Sequence, residues 1–178
     1  VALHRDGRAY RDARPVNWCT KHQTTLSDLE TSDEERTEPL YYLKYGPLTV
    51  ATGRPETIFA DVAVAVHPED ERYQHLVGTT IEVNFGTETR SIPVVADEYV
   101  DPAFGTGAVK ITPAHDANDF EVAKRHMLPT DAPTIDQYGK LTDRAAQFAG
   151  LKVDEARPKV AELLATKGLI DRIDEGYI

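Results

Sequence analysis

The chain has 178 residues, 40% hydrophobic and 28% charged, which is enough for one domain with its own core. Its 20 Lys and Arg stand against 30 Asp and Glu, a formal charge of −10, and this excludes broad non-specific nucleic-acid binding, which needs a basic footprint. No apolar run approaches the roughly 18 residues of a membrane span, Val1 to Arg8 lacks the apolar core of a signal peptide, and the single cysteine, Cys19, forbids an intrachain disulfide, so a cytoplasmic location is expected.

Residues 1–10 read as a helical tail, and 14–19 as a strand with Pro15 near its start. The segment 28–39 sets Asp28, Glu30, Asp33, Glu34, Glu35 and Glu38 against Arg36 alone, and reads as a solvated hairpin loop. Segments 41–45 and 48–51 are strand-like, with Gly46-Pro47 turning between them. A β-branched stretch follows at 62–66, and 68–73 reads as a short helix opening. Residues 80–84 alternate apolar and polar, as a half-buried strand does. Two more strands fall at 91–96 and 108–112. A helix over 116–127 carries Phe120, Ala123 and Met127 at helical spacing. A second over 154–167 ends at Gly168, a common helix stop. Six or more short strands with two substantial helices argue for a β-rich α+β fold, with a barrel-like sheet and helices packed outside. Regular alternation of strand and helix is missing, which argues against a doubly wound parallel sheet.

Chemistry concentrates in two segments. In the first, a strand ending in Lys110-Ile111-Thr112 runs into a helix that starts at Asp116. Lys110 and Thr112 are two apart, so both point to one face, towards Asp116 and Asp119. An Asp with an acid three residues later is also a plain capping pattern. The functional alternative is a pocket in which these groups hold an amino-acyl ligand by charge-assisted hydrogen bonds. His115 is open between a structural and a site role. The second segment is Thr52-Gly53-Arg54-Pro55-Glu56-Thr57. Pro55-Glu56 suits a helix start, whose free N–H groups, with Thr52, Arg54 and Thr57, could hold carbonyl or phosphate oxygens. Gly105-Thr106-Gly107 is not a phosphate-binding loop, because no Gly-Lys-Ser/Thr follows. Cys19-x-x-His22 is half of a zinc site at most, and neither metal nor cofactor is expected.

Several motifs occur in an order that resembles the editing domains of class I aminoacyl-tRNA synthetases for branched aliphatic amino acids, the valyl branch above all. They are Val16-Asn17-Trp18-Cys19 followed by Thr25-Leu26-Ser27-Asp28-Leu29-Glu30; Arg54-Pro55-Glu56-Thr57, whose Glu is typical of the valyl branch; Ala65 to Tyr73; and Thr112 to Val122 followed by Lys124-Arg125-His126. The resemblance implies a single editing domain over 1–178, with 1–13 and 170–178 connecting to a catalytic domain. The Val start and abrupt end fit an excised piece, and the His-Ile-Gly-His and Lys-Met-Ser-Lys-Ser signatures of amino-acid activation do not occur. It also implies an aminoacyl-tRNA ester hydrolase acting on threonine esterified to the 3′-terminal adenosine of tRNA(Val), with threonyl-adenylate left open as a second substrate. The implied partners are that tRNA and the rest of the parent synthetase, with no membrane. Carried over by position, Asp116, Asp119 and Lys110 are catalytic, and Thr52, Arg54, Pro55, Glu56, Thr57, Thr112 and His115 bind substrate. Asp119 would take the ammonium and Asp116 the threonine hydroxyl, or the reverse. Gly53 departs from the second threonine of many relatives. The competing reading is a non-catalytic module that binds the acceptor end or spaces the parent's domains.

Overall fold

The computed structural model describes residues 1–10, 13–32 and 34–177, so Asp33 of the acidic segment lies outside the described residues. In chain order the elements are α1 (Ala2–Arg5), β1 (Trp18–Cys19), β2 (Thr24–Thr25), β3 (Glu38–Tyr45), β4 (Leu48–Thr52), β5 (Ala63–Val66), β6 (Thr80–Asn84), β7 (Thr89–Ala96), β8 (Ala108–Ile111), α2 (Ala117–Arg125), α3 (Val153–Thr166) and β9 (Ile170–Tyr177). A 3-10 helix, Pro55–Ala60, joins β4 to β5.

The strands form a four-stranded sheet in the order β6-β7-β5-β8, a three-stranded sheet β4-β3-β9, and the small hairpin β1-β2. Among the described residues only β5 and β7 pair in parallel, with Val64 opposite Val94. The architecture is α+β and β-rich, but the barrel-like expectation fails. Among the described residues no ladder joins β4 to β8; the two sheets share the main core, and across the gap Thr106 Oγ1 donates to Thr49 O at 2.5 Å. A side-chain tether does not continue a backbone ladder, so the sheets stay open.

Strand β5 shows why the site sits where it does. All four of its residues are buried, as a central strand between two packed layers requires. Val64 and Val66 face the main core, with Tyr45, Val50, Phe59, Val83, Phe85, Val94, Val160 and Leu164. Ala63 and Ala65 face a second cluster formed with Val100, Ile111, Val122 and Ala123. The two small alanines let α2 lie close against that face. Lys110 lies opposite Val64 in the β5–β8 ladder and therefore points away from α2.

Four further expectations differ from the structure. The strand expected over 14–19 is only Trp18–Cys19, and the tail helix only Ala2–Arg5. No helix forms at 68–73, because the Asp70 carboxylate takes the Arg72 N–H (3.1 Å) and guanidinium (2.6 Å), closing a local turn before Gln74–Leu76 forms a 3-10 turn. Met127 leaves the helix at φ 54° and is 92% exposed, so it takes no part in the apolar face. Residues Ile170–Tyr177 build β9 on β3, with Tyr41 opposite Ile173. No described helix is long and apolar enough to cross a membrane.

Candidate functional site

The cleft lies where β4, the Pro55–Ala60 turn, the end of β8 and the start of α2 converge. Thr52, Arg54, Thr57, Tyr99, Lys110, Thr112, His115, Asp116 and Asp119 all line it. Its volume is about 160 Å³, below the roughly 300–1,000 Å³ of pockets that enclose drug-sized ligands. It has room for a small amino-acyl group.

Asp116 closes the first turn of α2, its Oδ1 accepting from Asn118 N (2.8 Å) and Asp119 N (3.0 Å). The capping role read from the spacing is therefore present, and the same side chain also lines the cleft. Asp119 lies one turn on, 7% exposed, its Oδ2 accepting from Thr112 N at 2.8 Å. Burial pushes its carboxyl up to about 7, against the opposing pull of Lys110 and the Thr112 N–H.

Lys110 is spent on its neighbours. Its ammonium donates to Thr57 Oγ1 at 3.0 Å, to Asp61 Oδ1 at 3.0 Å and to Thr112 Oγ1, which uses all three of its protons. Thr57 passes its own proton to Arg54 O (2.9 Å), and Thr112 passes its proton to Asp61. Tyr45 donates to Asp61 Oδ2 at 2.6 Å. Burial, then the Asp61 carboxylate, hold that phenol well above its usual range, so it remains a donor. Asp61 is 0% exposed and anchors the whole network, yet the sequence reading did not single it out. A signal was there: Asp61 is the lone carboxylate in the apolar run 58–66, and a buried carboxylate must be paired.

His115 lines the cleft, but its Nε2 accepts the N–H groups of Thr134 (2.8 Å) and Ile135 (3.2 Å). These bonds place the proton on Nδ1. Burial, then Arg54 and Lys110, pull its pKa down to about 4, so the ring is neutral near pH 7. Arg54 stands at the mouth with its side chain 47% exposed, and its Nη1 donates to His115 O at 3.3 Å. Thr52 Oγ1 accepts from Arg54 N at 3.1 Å.

Pro55 and Glu56 do not line the cleft. Glu56 is 0% exposed and grips Arg157 of α3 through two bonds, Nε to Oε2 at 3.0 Å and Nη2 to Oε1 at 3.1 Å. The third guanidinium nitrogen of Arg157 reaches Glu38 Oε2 at 2.9 Å. Glu56 thus fastens the turn that carries Thr57 to the helix behind it. Tyr99, which no sequence pattern marked, lines the cleft beside the aspartates. Gly105-Thr106-Gly107 is a packing turn: a Cβ on Gly107 would stand 2.4 Å from Arg72 Nη2, and one on Gly105 2.9 Å from Ala51 Cβ.

Cys19 Sγ lies 3.3 Å from His22 Nδ1, and among the described residues no group of three or more His, Cys, Asp or Glu could hold an ion.

Comparison with known proteins matches these features to one family. The family model described as leucyl-tRNA synthetase, editing domain, matches residues 74–165, just over half of the chain. The valine–tRNA ligase of Carboxydothermus hydrogenoformans is 49% identical over 98% of this chain and 20% of its own length. That of Thermotoga maritima is 46% identical over 98% of the chain and 21% of its length, and that of Chlorobaculum tepidum 47% over 98% and 20%. The chain spans about a fifth of the length of the curated relatives it matches. It belongs to the family of aminoacyl-tRNA synthetase editing domains, on the branch found in valine–tRNA ligases.

Proposed function

We propose that the cleft proofreads aminoacyl-tRNA by hydrolysing the ester between threonine and the 3′-terminal adenosine of tRNA(Val), with the rest of the parent synthetase presenting the tRNA. The observation that carries this reading is the distribution of charge. Lys110 is neutralised by Asp61 at 3.0 Å, so the carboxyls of Asp116 and Asp119, the latter titrating at about 7 and drawn to its ionised form by a ligand cation, are the acidic groups of the interior, while Arg54 stands at the mouth. Such a cleft suits a ligand with an ammonium at its inner end and oxygen-rich groups outside, as an aminoacyl ester has.

Asp119 takes the ammonium and Asp116 the side-chain hydroxyl in this reading. An apolar synthetic pocket cannot strongly reject threonine, since valine is nearly isosteric; selection of valine over threonine by valyl synthetases is a known instance of that limit, at about a hundredfold. A site that hydrogen-bonds the hydroxyl reverses the preference, because valine leaves the carboxylate unpaired at a cost of about 1–3 kcal/mol or more. Water is the nucleophile. Among the described residues the lining holds no Ser or Cys, the hydroxyl protons of Thr57 and Thr112 are committed, no base bonds the Thr52 hydroxyl proton, and His115 Nε2 is occupied by backbone donors. Lys110 and Thr112 then act by fixing the wall rather than by proton transfer.

The test is deacylation of threonyl-tRNA(Val) and valyl-tRNA(Val), with Asp119→Ala as control and threonyl-adenylate as a further substrate. Selective loss of threonine that requires Asp119 is expected. Equal loss of both amino acids, or full activity in Asp119→Ala, overturns the reading in favour of a module that only binds the acceptor end.

A further inference from the structure

The 160 Å³ cleft is too small for a nucleotide, but a second depression of about 550 Å³ adjoins it. Arg54 and His115 line both. The floor of the second depression includes Trp18 and Gln137, and its rim carries Arg14. Trp18 is held by its indole N–H, which donates to Gln137 O at 2.8 Å, yet the residue stays 37% exposed. Among the described residues the Arg14 guanidinium makes no hydrogen bond or ion pair, although the chain carries ten more acidic than basic side chains. Asp136 also lines the depression, and its Oδ1 is occupied by the N–H groups of Tyr138 and Lys140 at 2.8 and 2.9 Å.

The geometry points to this depression as the seat of the nucleotide that precedes the terminal adenosine, its phosphate between Arg14 and Arg54 and its base against the Trp18 indole. The inference rests on the proofreading reading for the identity of its ligand. Three features carry it: the Arg54 and His115 walls shared with the smaller cleft, a size in the range that encloses a small ligand, and two arginines beside a fixed indole, Arg14 unpaired among the described residues and Arg54 3.6 Å from the Glu56 carboxylate. Guanidinium for phosphate and an aromatic face for a base are how single-stranded nucleic acid is held without sequence readout. The arrangement also explains how so acidic a chain handles RNA, since it needs to grip only a short terminal piece.

Trp18 is the single tryptophan of the chain, so its fluorescence reports on this depression alone. The experiment is a titration of the chain with the dinucleotide CpA, with adenosine as the comparison, in the wild type, Arg14→Ala and Arg14→Lys. CpA is expected to quench Trp18 saturably and adenosine to leave it unchanged. Arg14→Ala should weaken CpA binding about tenfold and lower the slope of log affinity against log salt by about one, and Arg14→Lys should restore part of the affinity. Absence of quenching by CpA, equal response to adenosine, or unchanged affinity in Arg14→Ala overturns the inference. The readout needs no turnover. Failed deacylation with intact quenching removes the hydrolase reading and keeps this subsite, and the opposite pattern does the reverse.

Discussion

Lys110 and Asp61 stand 3.0 Å apart with side chains 9% and 0% exposed, and each is the other's only ionic partner among the described residues. Lys110 lies in β8 and Asp61 just after the Pro55–Ala60 turn, 49 residues apart in sequence. Breaking one side of such a pair leaves a charge in the core, which costs about 3–5 kcal/mol. Lys110→Ala should therefore lower the urea midpoint sharply, while Lys110→Met combined with Asp61→Leu should recover much of the loss. Additive losses in the double variant would show that the two charges are not coupled.

Asp119 and His115 impose opposite pH dependences on stability. The Asp119 carboxyl sits at about 7 when folded against 3.8 for the ordinary group. The folded state thus holds a proton that the unfolded state has released, and stability falls as pH rises from about 4 to 7. His115 titrates at about 4 against 6.5. There the unfolded state takes up a proton that the folded state refuses, so stability is lost as pH falls from about 6.5 to 4. Each slope is at most about 1.4 kcal/mol per pH unit, and in the shared window they oppose. Asp119→Asn should expose the His115 slope, with stability rising with pH, and His115→Gln the reverse. Melting temperatures at pH 4.5, 5.5 and 6.5 decide it; parallel profiles in all three proteins would contradict the assignment.

Arg157 should tolerate no replacement by lysine. Its fork makes two bonds to the buried Glu56 carboxylate, a geometry that a point charge on a flexible stem cannot reproduce. Arg157→Ala is expected to cost about 3–5 kcal/mol, and Arg157→Lys to recover less than half of that by chemical denaturation. Wild-type stability in Arg157→Lys would count against the bidentate clamp.

Gly107→Ala should destabilise the chain by about 1–3 kcal/mol. The position has φ +76°, and the added methyl would also meet the Pro102 carbonyl at 2.9 Å. Gly78→Ala is the comparison: it shares the positive φ, at +77°, but has nothing within 4 Å of its Cβ, so it should lose only the smaller backbone cost. Equal losses at the two sites would remove the steric argument.

The parts of the site that depend on neighbours in sequence were legible. The Asp116 cap, the strand ahead of it and the shared face of Lys110 and Thr112 all follow from spacing of two and three residues. Glu56 was read as a ligand contact because its partner, Arg157, lies 101 residues further on and no local pattern announces it. Asp61 belongs to no motif, although an acid inside Ile58-Phe59-Ala60-Asp61-Val62 carries its own warning. The polar β9 sequence hid its pairing, since both of its faces are largely exposed and apolar alternation never develops. Sheet closure depends on which edges meet, and strand-forming tendency alone is silent on that.

Helix α2 is fastened at both ends. Asp119 ties its first turn to Thr112 N at 2.8 Å, and Arg125 in its last turn holds Asp97 through bonds of 2.8 and 3.0 Å. Asp97 in turn follows β7, so the nine-residue helix is a strut of about 13 Å spanning the sheet from β8 to β7. A helix tied at both ends resists swinging away from the sheet, and under the proposed proofreading reading the wall that carries both aspartates sets how long an acyl group the cleft admits.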